Sequence, residues 1–195
     1  MNRRLLTVAA LTVFSIVGAA LIPVGQPPVQ ERVLGTTSFP NSGSREAQSP
    51  FIEGVLLLHF FEFEDAATSF REAQGIDPEF ALAYWGEAMT YNHTLWRQQD
   101  KEAALSALER YAATADERQE KAPTVREASY LASVDILYAE GSETERDLAY
   151  MAAMSRLTST YTEDLEARTF YTLSILGSTN GERDFATYMK AATAV

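Results

Sequence analysis

At 195 residues, with 46% hydrophobic content and no cysteine, the chain can bury one sizeable core but holds neither a disulfide framework nor thiol chemistry. A formal net charge of −11 and a pI near 4.6 argue against a nucleic-acid or anionic-membrane face, which needs basic residues. Basic peptides, cations and small molecules stay open as partners, and the same acidity keeps a protein soluble.

In chain order, Met1-Asn2-Arg3-Arg4 supplies a positive start, and Leu5 to Ile22 is apolar apart from Thr7, Thr12, Ser15 and Gly18. The small residues Val17-Gly18-Ala19-Ala20 suit a peptidase cut, so residues 1–22 are expected to be a signal peptide. The apolar run also just reaches the length of an N-terminal anchor. Either way the folded part is expected to be exported, periplasmic or extracellular, with residues 5–22 as the alternative tether to the inner membrane. Cleavage near Ala20 removes two arginines and takes the formal charge from −11 to −13. Residues 23–48, dominated by Pro, Gln, Gly, Ser and Thr, read as a flexible linker, with Phe39-Pro40 able to fold back onto the first helix.

Residues 49–195 read as helices in pairs. Ser49-Pro50 caps a helix to about Phe61. A second runs from Phe63 to Gly75, and Asp77-Pro78-Glu79 opens a third reaching about His93. Asp100 to about Asp116 reads as one helix, followed by Val125 to Ala139, ended by Gly141. Glu143 to Tyr161, Asp164 to Leu176, and a last helix from Gly181 into Ala191 complete four pairs. No period-two alternation suggests a sheet.

Four of these helices share a phrase. Glu53-Gly54 leads to Leu57, Glu87-Ala88 to Tyr91, Glu127-Ala128 to Leu131 and Glu166-Ala167 to Phe170. The first two copies lie 34 residues apart, and the echo extends over Phe51–His59 against Trp85–His93. A small residue lets two helices approach at a crossing, and the apolar residue one turn later fills the next gap. A fixed period of this length implies stacked helix pairs. Gly54, Leu57, Ala66, Phe70, Ala73 and Pro78 together resemble the tetratricopeptide repeat (TPR), with Leu57 standing where an aromatic is usual. The resemblance implies an all-α fold, an α-solenoid of about four TPR-like helix-turn-helix pairs.

The stretch Asp77 to Trp96 is similar to a family of exported bacterial TPR proteins of unassigned biochemistry, and the similarity extends from about Phe39 to Ala192. Members of that family continue past the equivalent of Val195 with His-rich turns, so the resemblance implies an N-terminal fragment or truncated member.

Two histidines occupy equivalent repeat positions, His59 and His93, at the expected ends of neighbouring helices. One role for them is capping helix C-termini. The other is one shared ligand or divalent metal ion, with Glu62, Glu64 and Asp65 nearby. Two imidazoles without a third nitrogen ligand or a His-Glu-x-x-His helix are a weak metal signal. The aromatics Trp85, Tyr84, Tyr91, Trp96, Phe60, Phe61 and Phe63 suit a core at helical spacing. Trp85, Met89 and Asn92 also share one face, where Trp85 would anchor a partner in the concave groove. No phosphate loop or nucleophile constellation is present, and the helix carboxylates read as solvated faces. The expectation is a scaffold without catalysis or cofactor, binding a protein or peptide through Trp85, Met89, Asn92, His93, His59 and Trp96. The alternative is a metal-binding protein using His59 and His93, its site completed by later repeats. Nucleic acid is not expected as a partner, and a membrane only through an uncleaved N-terminal segment.

Overall fold

The structure is a computed structural model that describes residues 34–179 and 184–194. The expected signal peptide or anchor, residues 1–22, and the first part of the linker lie outside the described residues.

The described chain is all-α, as the repeat pattern requires. After a short 3-10 turn at Arg45–Ala47 come α1 (Gln48–His59), α2 (Phe63–Ile76) and α3 (Ala81–Met89). Two-residue strands β1 (Asn92–His93) and β2 (Gln98–Gln99) pair antiparallel around a 3-10 turn at Thr94–Trp96. Then follow α4 (Lys101–Glu109), α5 (Ala115–Lys121), α6 (Val125–Leu137), α7 (Glu143–Thr160), α8 (Leu165–Gly177) and α9 (Phe185–Ala192). No helix among the described residues is long and apolar enough to cross a membrane.

Helix starts follow cap chemistry. Asp100, Thr114, Thr124, Ser142, Asp164 and Asp184 each accept a backbone N–H from the first turn of the helix they precede. Thr114 and Ser142 complete capping boxes with Glu117 and Glu145. The Thr114 box is why the helix expected over 100–116 is two helices, with a break at residues 110–114. The third helix also stops early. Thr90 Oγ1 donates to the Glu87 carbonyl at 2.7 Å, and the chain leaves at Tyr91 for the β1–β2 ladder. His93 is therefore in a strand and not at a helix terminus.

Consecutive helices pack on one another except α4 and α5, and α3 also packs on α1 and α6. The helices bearing the shared phrase, α1, α3, α6 and α8, thus meet in one core. Trp85 on α3 sits edge-on to Tyr130 of α6 at 5.1 Å and to Phe170 of α8 at 5.0 Å. Phe70 of α2 lies against two bare α-carbons. A Cβ on Gly54 would come within 2.9 Å of its ring, and one on Gly86 would overlap it. Gly54 thus admits a ring where the crossing argument expected a close helix approach.

The segment 34–47 departs from the expected linker. Phe39 is 3% exposed, with ring centroids 5.5 Å from Phe51, 5.7 Å from Trp85 and 5.2 Å from Tyr130. Ser42 donates from its backbone N and its Oγ to Glu127 (2.9 and 2.7 Å), and Thr37 donates to Glu166 at 2.5 Å. Arg126 donates to the Pro40 carbonyl at 2.5 Å, and the Ser44 N–H donates to Asp77 at 2.7 Å. Linker-like composition is overridden because one large apolar side chain and several donors find buried partners.

Candidate functional site

The shared phrase does more than pack. Its first residue is a glutamate, and three of the four copies are buried: Glu87, Glu127 and Glu166. Only Glu53 faces solvent. Each buried carboxylate is satisfied by side chains from elsewhere, as burial of a charge requires. Glu87 pairs with Arg71 at 3.3 Å and with Arg110, and accepts from Gln74 at 2.6 Å and from Tyr91. Glu127 holds Ser42 and Thr124. Glu166 holds Thr37 and meets Nε2 of His59 at 2.7 Å. These three acids are not solvated as expected, because beside the local Tyr91 and Thr124 they find partners far away in sequence.

His59 ends α1 and stacks on Phe170 of α8, with ring centroids 5.4 Å apart. Its ring lines a cavity of about 280 Å³ between α1, α3, α8 and the 92–94 segment. The walls are mostly apolar, including Leu58, Phe61, Met89, Leu173 and Leu176, with Asn92, Thr94 and Thr172 supplying polar edges. Burial pushes the Glu166 carboxyl up, but the hydrogen bonds from His59 and Thr37 outweigh it and hold the group below the usual range. The imidazole in the wall is therefore tied to an ionised carboxylate behind it.

A second, larger cavity of about 630 Å³ lies between α2 and residues 90–100, lined by Phe63, Glu64, Arg71, Tyr91, His93 and Gln98 among others. Phe63 lines both cavities, and His93 stacks on its ring at 3.8 Å. The two histidines thus line different cavities. Among the described residues no group of three His, Cys, Asp or Glu side chains could hold a metal.

The mouth of the smaller cavity is aromatic and strained. Phe61 and Trp96 are 38% and 54% exposed, with ring centroids 5.3 Å apart. Phe60 and Leu95 beside them are exposed as well. Phe61 has φ +61° and Arg97 φ +54°, the two left-handed non-glycine residues among the described ones. Bulky residues adopt that conformation at a cost of about 1–3 kcal/mol, and such residues gather at binding and switching sites.

Of the six residues expected to bind, His59, Met89 and Asn92 line the smaller cavity, and Trp96 stands beside it. His93 lies in the larger cavity. Trp85 is fully buried and presents no surface, so it cannot anchor a partner. Thr169, Phe170, Leu173 and Leu176 of α8 were missed, because nothing local in their sequence separates a cavity wall from a core face.

No protein-family model, no curated protein and no solved structure matches the chain.

Proposed function

We propose that the chain is an exported, TPR-like α-solenoid scaffold that binds a protein or peptide partner, with the cavity between α1, α3 and α8 as the anchoring point. The observation behind this reading is the mostly apolar cavity under a mouth of exposed aromatics, one of which, Phe61, has a left-handed backbone. The pairwise packing of successive helices supports the repeat architecture. Residues 37–42 support the peptide reading. They run without helix or strand and are held by Glu127 and Arg126 of α6 and Glu166 of α8, so side chains of two helices here already hold a non-helical stretch of chain. Export rests on the apolar residues 5–22.

The test is capture of a partner from the exported fraction by the wild type and by Leu173→Trp, which fills the cavity. The wild type retains a partner, and the filled variant, at unchanged melting temperature, loses it. Equal capture by both overturns the cavity as anchoring point.

A further inference from the structure

Among the polar side chains lining the small cavity, His59 keeps one ring nitrogen uncommitted. Nε2 of His59 is committed to Glu166, while Nδ1 has no partner among the described residues. An ionised carboxylate only accepts hydrogen bonds, so Nε2 carries the hydrogen, and in the neutral imidazole Nδ1 is left as an acceptor. Glu166 fixes that tautomer from behind and is itself fixed by Thr37. The cavity that His59 lines is mostly apolar, with Leu58, Phe170, Leu173 and Leu176 beside the polar Thr169 and Thr172. A volume of about 280 Å³ is at the lower bound for small-molecule sites, enough for one ring and too small for a stretch of backbone. A mostly apolar enclosure with an imidazole acceptor in its lining is complementary to a ring with a donor at its far edge. Side chains of that kind dominate the anchors of protein interfaces.

We propose that the cavity takes the phenol of a partner tyrosine, its ring packed between Phe170 and Leu173 and its hydroxyl donating to Nδ1 of His59. This rests on the peptide-binding reading and adds the identity of the anchor. Asn92 and Thr94, on the same wall, are placed to meet the backbone beside that tyrosine. Phe61 and Trp96 cover the ring's outer edge and exclude water from it.

Small probes isolate the anchor from the rest of any partner. On the full chain, p-cresol, toluene and acetophenone present one ring with a donor, with no polar group and with an acceptor. Binding is followed by chemical-shift changes at the Leu173 and Leu176 methyls. We expect p-cresol to bind about five-fold tighter than toluene, the worth of one hydrogen bond, and acetophenone to bind no better than toluene. In His59→Phe the preference for p-cresol disappears while toluene still binds. Should that variant not fold, Glu166→Gln serves instead. Its amide can donate to Nε2, turning Nδ1 into the N–H and moving the preference from p-cresol to acetophenone. Equal binding of p-cresol and toluene, or tighter binding of acetophenone to the wild type, overturns the proposal. If no probe binds but a partner is still captured, the tyrosine anchor is wrong and the scaffold reading stands. If p-cresol binds selectively and no partner is captured, the phenol site is upheld and the scaffold reading fails.

Discussion

Glu87 is enclosed on α3 with two guanidinium groups, an amide and a phenol around it. Truncating it strands these donors around an empty site. Because Arg71 and Arg110 are each about half exposed and regain water, the loss concentrates on Gln74 and Tyr91. Glu87→Ala should cost about 2 kcal/mol in urea unfolding, and Glu87→Gln, which keeps the shape and one acceptor, less than half of that. The sequence marks this position four times through its recurring phrase but does not reveal its burial. Apart from Tyr91, donors to Glu87 come from positions 71, 74 and 110, and donors to Glu166 from 37 and 59, so the distinction from Glu53 lies mainly in longer-range geometry. His59 and Met89 were legible because repeat register places them on one side of the array. Trp85 shares that register yet is closed off by Phe39, a residue outside the repeats.

Elements were legible where their signals are local. The boundaries of α2, α6, α7 and α8 lie within two residues of where periodicity and cap residues place them. The split between α4 and α5 was missed although Thr114 and Glu117 form a readable capping box, since the alanine-rich run before them suits one continuous helix. Glycines inside elements divide by what surrounds them. Gly86→Ala drives a Cβ into the Phe70 ring and should destabilise by about 1–3 kcal/mol. Gly75→Ala, near the end of α2 with nothing within 4 Å, should stabilise by about 0.5–1 kcal/mol. A thermal melt of the two variants against the wild type checks both signs. The segment before α1 behaves as part of the core. Phe39→Ala should cost about 3 kcal/mol in urea unfolding, where a true linker residue would cost nothing.

For the whole molecule, the acid balance sets how stability moves with pH. Burial first, and Glu143 next, raise the Asp147 carboxyl to about 6. Burial also raises Asp135, outweighing its bonds from Arg118. Such groups take up protons in the folded state before they do so in the unfolded chain, so stability rises as pH falls from about 6 toward the model-peptide range near 4. Glu166, held low, has the opposite sign. It stabilises above its unfolded pKa, and that contribution is lost as pH falls through its lowered value. The urea midpoint should therefore be higher at pH 5 than at pH 7.5. Asp147→Asn should raise the pH 7.5 value and narrow the gap, and an unchanged gap would refute the assignment. The buried glutamates also bear on how such an array can evolve. A helical array whose units are held only by generic apolar faces can gain, lose or exchange units by duplication. Here equivalent letters read different addresses: Glu87 meets α2 and α4, Glu127 meets Ser42, and Glu166 meets Thr37 and His59. A copied or transplanted unit would bring a buried negative charge to a place without its donors. The order of the helices that carry these glutamates is thereby locked, and this chain should diversify by point substitution at its cavity, not by shuffling helix pairs.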